Sequence, residues 1–146
     1  MLGVYYNNIY NDIYESEMRK DLQMKTISVA DLLATSSGEP EFWNSTNVKV
    51  IGLYDSGVFN LTKFDELKKM DYKDVKNILG IGGYEIYIEI QNETGNVIKV
   101  GDSTYSFGMP LNNVRNAFSV KRLGLIKIND NFQKSILQVV LWSREV

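Results

Sequence analysis

The chain has 146 residues, 44% of them apolar, 23% charged and 12% aromatic, with a mean hydropathy of −0.21. These are the proportions of a soluble folded domain with one core, and they exclude disordered, collagenous and membrane-spanning classes. Histidine and cysteine are both absent, which excludes Ser-His-Asp and Cys-His nucleophilic sites, disulfides, redox thiols and zinc held by imidazole or thiolate; a net charge of −2, from 16 basic and 18 acidic residues, offers no field for a polyanion, so nucleic acid is not an expected partner.

Four tyrosines, Tyr5, Tyr6, Tyr10 and Tyr14, crowd the first fourteen residues behind the short apolar start Leu2-Gly3-Val4. Tyrosine concentrates where a helix leaves a bilayer, so the sequence is expected to begin just beyond a membrane helix, with Met1 not native. No run reaches the roughly 18 apolar residues of a membrane-spanning helix, and no leader with a cleavage site is present.

From about residue 9 to residue 34 the pattern is helical. Tyr10, Tyr14, Met18, Leu22, Val29, Leu32 and Leu33 form one stripe, and Ser16, Arg19, Lys20 and Gln23 lie opposite. No Gly or Pro interrupts the stretch before Gly38 and Pro40, so about 25 residues give a helix about 37 Å long. Its C-terminal half is apolar enough to pack on a core; its first half is too polar to be buried in a monomer and calls for a partner. Tyr6, Ile9, Tyr10, Ile13 and Tyr14 are the candidate assembly positions.

The segment Thr35–Pro40 ends the helix, and Val48-Lys49-Val50-Ile51-Gly52-Leu53 reads as a short strand. Thr62 with Asp65 predicts a capped helix over Lys63–Met70; Asp71 with Asp74 predicts a second over Tyr72–Leu79, stopped at Gly80. Tyr84, Ile86, Ile88 and Ile90 alternate with Glu85, Tyr87 and Glu89, as in a half-buried strand. Thr94-Gly95-Asn96 turns it back into Val97–Val100. Phe118–Ile128 and Phe132–Trp142 make a second hairpin around Asn129-Asp130-Asn131. The expectation is a single α+β domain over 1–146, with a long N-terminal helix packed on an antiparallel sheet of about five strands. A short helical insert lies within the sheet part, at about 48–142.

Few constellations suggest chemistry. Gly80-Ile81-Gly82-Gly83 follows a helix and precedes a strand, the reverse of a phosphate-binding loop, and reads as a helix stop and turn. The alternating charges from Asp65 to Lys76 fit a solvated helix surface. Asp102-Ser103-Thr104 and Asn129-Asp130-Asn131 carry oxygen ligands without the spacing of a calcium loop and read as turns. Lys121-Arg122 reads as an edge-strand charge that resists strand addition. An enzyme built on Asp102, Asp130 or Lys121 would need a pocket gathering them; the expectation is no catalytic residue, no cofactor and no metal. Three Asn-X-Ser/Thr sequons, at Asn44, Asn60 and Asn92, all fall in predicted loops or turns and are candidate N-glycosylation sites.

Several segments together resemble the soluble part of archaeal type IV pilin-like proteins made with a class III signal peptide. The resemblance is carried by Asp12–Glu17 and Met18–Lys25 continuing into Ile27–Leu33, then Gly38-Glu39-Pro40 leading to Trp43-Asn44, and Val48–Leu53. It continues through Leu61-Thr62-Lys63 with Leu67, and through Val120–Leu123 and Val139–Trp142 at the end. It implies a hydrophobic N-terminal segment that anchors the precursor in the cytoplasmic membrane, is processed by a prepilin peptidase, and then packs in a filament core. The expected function is therefore a cell-surface structural subunit, pilin or minor pilin-like, with other pilin subunits as partners and the sheet domain displayed outside the cell. The alternative is a membrane-tethered extracellular sensing or ligand-binding module that does not polymerise.

Overall fold

A computed structural model describes the backbone of residues 2–112, 114 and 116–143, and the side chains of these from Glu15 onward. The first element is α1 (Leu2–Thr35), longer than the predicted helix because it starts near the first residue; 34 residues give about 51 Å. Its second half is packed. Every side chain from Glu15 to Asp21 is exposed, and burial begins at Leu22, continuing with Thr26, Val29, Ala30 and Leu33. Leu22, Val29 and Leu33 of the predicted stripe are thus core residues, whereas Met18 is 38% exposed. Thr26 joins the core because its hydroxyl donates to the Leu22 carbonyl at 2.7 Å, so no polar atom of it is left unpaired. Tyr6, Ile9, Tyr10, Ile13 and Tyr14 lie on the helix, and their side chains fall outside the described residues.

The predicted strand Val48–Leu53 is not a ladder strand. Val50 makes one isolated bridge with Glu39, and the end of the segment bonds to the end of α1 and the residue after it. The Leu53 N–H donates to the Leu33 carbonyl at 3.0 Å and the Tyr54 N–H to the Ser36 carbonyl at 3.1 Å. The helix's last carbonyls need donor partners, and this extended segment supplies them. It then enters a small hairpin, β1 (Tyr54–Asp55) and β2 (Val58–Phe59).

Helix α2 (Leu61–Lys68) is capped by Asn60 and not by Thr62: the Asn60 Oδ1 accepts from the Lys63 N–H at 3.1 Å. Helix α3 (Tyr72–Leu79) is capped by Asp71 as its sequence predicts, and Gly80 closes it at φ +68°, a conformation glycine adopts without strain.

The central sheet has four antiparallel strands and not about five, ordered β6-β3-β8-β7. These are β3 (Tyr84–Gln91), β6 (Ser106–Gly108), β7 (Ala117–Ile128) and β8 (Asn131–Ser143). The β7–β8 hairpin turns at two residues only, Asn129 at φ 50° and Asp130 at φ 66°, so Asn131 belongs to the strand. Val97–Val100 returns along β3 only through a Gln91–Val97 bridge. It then forms its own two-stranded ladder, β4 (Lys99–Val100) with β5 (Ser103–Thr104), which the glycine-bearing turn at Gly101-Asp102 closes.

One core cluster joins the elements. Leu22, Val29, Ala30 and Leu33 of α1 and Phe64, Leu67 and Val75 of α2 and α3 meet the inner sheet face, Ile86, Ile88, Ile90, Val120, Ile126, Leu137, Val139 and Leu141. Side chains of β7 alternate strictly. The even-numbered ones face α1, and at Gly124 the strand lies so close to the Phe59 ring that a Cβ would sit 2.4 Å from it. The odd-numbered ones face outward.

Candidate functional site

Among the described residues two surfaces stand out as exposed, and both derive from the way α1 meets the sheet. The first is the overhang of α1. Tyr84 at the start of β3 donates its hydroxyl to Asp21 Oδ2 at 2.7 Å, and Lys25 lies 3.4 Å from the same carboxylate and 5.3 Å from the Tyr84 ring. The Tyr84 hydrogen bond, followed by Lys25, holds the Asp21 carboxyl below its ordinary range. Among the described residues, this is the last hydrogen-bonded attachment of α1 to the sheet toward the N-terminus. Beyond it, Glu15 and Arg19 form an exposed pair at 3.9 Å, a contact worth less than about 1 kcal/mol. Between overhang and sheet end lies a cleft of about 310 Å³, lined by Glu15, Met18, Arg19, Leu22, Tyr84, Asn116 and Ser143.

The second surface is the outer face of the β7–β8 hairpin. Cross-strand pairs share a face, so Lys121 with Gln138, Leu123 with Ile136, Leu125 with Lys134 and Lys127 with Phe132 form one outward strip. Leu123 is 85% exposed and Phe132 62%. Lys127 Nζ lies 5.7 Å from the Phe132 ring centroid and 3.7 Å from Asp130. The Lys121-Arg122 pair divides accordingly: Lys121 is the exposed edge charge expected, whereas Arg122 points inward and binds Asp31 of α1 through Nε at 2.8 Å.

The middle of the sheet carries a polar track on the same outer face. The Tyr87 hydroxyl donates to Glu89 at 2.9 Å, the Gln91 amide donates to Glu89 and Gln138, and Gln138 donates to Ser119 at 2.8 Å. Burial, reinforced by Glu89, pushes the Tyr87 hydroxyl above its ordinary value. At the other edge Glu85, only 4% exposed, accepts from the Tyr72 hydroxyl at 2.6 Å and faces Lys76 at 3.4 Å. Apart from the buried Gln91 Oε1, which has no hydrogen-bond partner among the described residues, these groups bond one another, and none of them lines the cleft beside α1.

The three sequons are not equivalent. At Asn44 the side-chain oxygen accepts from the Thr46 N–H at 2.9 Å and the Thr46 hydroxyl at 2.6 Å. Asn92 repeats this with Thr94, at 3.0 and 2.7 Å. Both turns are closed by bonds within a few residues. Asn60 is different: its oxygen caps α2 and its amide nitrogen donates to Asp55 at 3.2 Å.

Asp102 sits in the β4–β5 turn, Asp130 at the hairpin tip with its side chain 97% exposed, and Lys121 on β7; none of the three lines any cleft described here. Gly80–Gly83 is the helix stop and turn that its order predicts. Among the described residues, no helix is long and apolar enough to cross a membrane.

Sequence reasoning missed the clamp at the end of α1. Trp43, 3% exposed, donates its indole N–H to the Gly52 carbonyl at 2.9 Å, and the buried Lys63 reaches the Ser37 carbonyl at 2.7 Å, at the negative end of α1. A glycine set among Val50, Ile51 and Leu53 was the available signal, since glycine in an apolar run marks close backbone approach. No family model matches the chain, and neither does any curated protein or solved structure.

Proposed function

We propose that this chain is a cell-surface structural subunit, pilin or minor pilin-like, that assembles through its N-terminal helix and displays the sheet domain outside the cell. The observation that carries this reading is the overhang: α1 runs about 30 Å through residues 2–21, and every described side chain in that stretch, Glu15 to Asp21, is exposed. A helical stretch whose described side chains from Glu15 to Lys20 are all exposed has little intrinsic stability in water, and packing against neighbouring subunits supplies what the monomer lacks. The resemblance of the segments from Asp12 to Trp142 to archaeal type IV pilin-like proteins supports the same reading.

Deleting residues 2–20 is expected to leave the sheet domain folded, because the core begins at Leu22, while abolishing self-association in sedimentation velocity. Unchanged association after the deletion would sink the proposal. The second reading is a tethered module that binds a ligand without polymerising, and it rests on the cleft between α1 and the sheet end. Under that reading the full chain sediments as a monomer at every concentration.

Display outside the cell makes the sequons acceptors, and they separate by what their amides already do. Glycosylation is expected at Asn44 and Asn92, where an enzyme need only open a local turn. Asn60 stays unmodified, because reaching its nitrogen removes the cap of α2, at a cost of about 1 kcal/mol, as well as the Asp55 bond. Intact-mass analysis of protein from a glycosylating host reads this as two occupied sites; glycan on Asn60 with Asn44 bare would overturn the assignment.

A further inference from the structure

We infer that the outer face of the β7–β8 hairpin is the docking surface for the overhanging α1 of a second copy of this chain, so that copies join head to tail. The inference rests on the assembly reading and names the surface that receives the helix.

Three observations carry it. The first is position. The bond from Tyr84 to Asp21 places the open end of the sheet, where Ala117 and Ser143 lie, beside the middle of α1, and the Arg122–Asp31 pair places the middle of β7 beside the end of α1. The helix stops four residues later at Thr35, whereas β7 runs six residues further to Ile128, about 20 Å at strand rise. The overhang and the hairpin tip therefore project from opposite poles. A copy cannot fold its own overhang onto its own hairpin, so any contact between the two is between molecules. Such a contact is heterologous, joining different surfaces of each copy, and it repeats into a ring or an open fibre.

The second is charge. Asp12, Glu15 and Glu17 are the charged residues of the first 18, and Glu15 and Glu17 are exposed. The hairpin's outer face carries Lys121, Lys127 and Lys134, all exposed, against Asp130 alone at its tip. An acidic helix start meets a basic strip, in a chain whose total charge is nearly balanced.

The third is apolar surface. Leu123 and Phe132 are the two most exposed large apolar side chains of the sheet, and Leu125 stands between them. The overhang sequence matches them with Leu2, Val4, Ile9, Ile13 and four tyrosines. A strip of leucine and phenylalanine bounded by lysines fits an amphipathic acidic helix laid along it.

The test uses the full chain in sedimentation velocity over a range of concentrations and salt. The parent is expected to form species larger than a dimer, weakened by salt as screened charges require. K127E/K134E and, separately, E15K/E17K are each expected to weaken association about tenfold or more, and a mixture of the two to recover it, since each then offers the charge the other lacks. L123S/F132S changes only exposed positions; it is expected to keep the parent's thermal midpoint and lose association. If the hairpin variants assemble like the parent while deletion of residues 2–20 abolishes assembly, the docking surface is wrong and the helix reading stands. A parent that is monomeric throughout overturns both. A monomeric parent that floats with phosphatidylglycerol vesicles through Leu123 and Phe132 would make the strip a lipid surface and overturn this inference.

Discussion

Gly52→Ala is expected to destabilise the fold by about 3 kcal/mol or more. A Cβ at position 52 would lie 2.2 Å from the Ser36 carbonyl oxygen and 2.4 Å from the Gly38 nitrogen. Both are backbone atoms, so no rotamer change relieves the clash, and overpacking against backbone exceeds the usual 1–3 kcal/mol of an added methylene. The movement required also disturbs the bond from Trp43 to the Gly52 carbonyl and the donors from Leu53 and Tyr54 that close the end of α1. Urea denaturation checks it: a midpoint shift under about 1 kcal/mol would show that this loop relaxes freely. Gly83→Ala is the control, since nothing lies within 4 Å of a Cβ there.

Lys76→Met is expected to cost about 3 kcal/mol, more than the loss of a surface ion pair. Glu85 is 4% exposed, and among the described residues Lys76 is the cation that pairs with it. Without it, the carboxylate keeps only the Tyr72 hydroxyl as a side-chain donor, and a buried charge stripped of its partner is strongly destabilising. Tyr72 itself accepts from the Ile86 N–H at 2.9 Å, so the disturbance reaches the start of β3. Adding Glu85→Gln to Lys76→Met removes the stranded charge and is expected to recover a large part of the loss. Two single variants that each cost about 0.5 kcal/mol or less, with no recovery in the double, would mean that water reaches this carboxylate.

These two sites differ in how far they could be read in advance. The alternation at Tyr84–Ile90 showed that Glu85 stands on the face opposite the core isoleucines, which suggests solvent. The helical charge run likewise suggested solvent for Lys76. What buries them is α3 meeting the sheet edge, a contact between residues 9 apart in number and on different elements, so no local pattern announces it. Gly52 carried a local signal, but its neighbours Ser36 and Gly38 come from the end of α1, and only the packed chain shows that the segment completes a helix end and not a sheet.

The sequence by itself determined the element types: one long helix, two short helices with Asp71 and Gly80 at the ends of the second, and a long terminal hairpin around Asn129-Asp130-Asn131, where the structure narrows the turn to Asn129 and Asp130. These follow from apolar period and from residues with a restricted backbone, both properties of a few consecutive positions. It also determined that imidazole and thiolate chemistry is absent. Tertiary structure alone decided the rest. It set the sheet at four strands: Val48–Leu53 stayed out of it, Lys99–Val100 paired with Ser103–Thr104, and Ser106–Gly108 took the edge beside β3. It distinguished Asn60 from Asn44 and Asn92, because a sequon does not record which helix its asparagine caps. It also placed the overhang and the basic hairpin at opposite poles, because the direction in which a helix crosses a sheet is settled by side chains such as Asp21, Tyr84, Asp31 and Arg122 that meet only when the chain is folded.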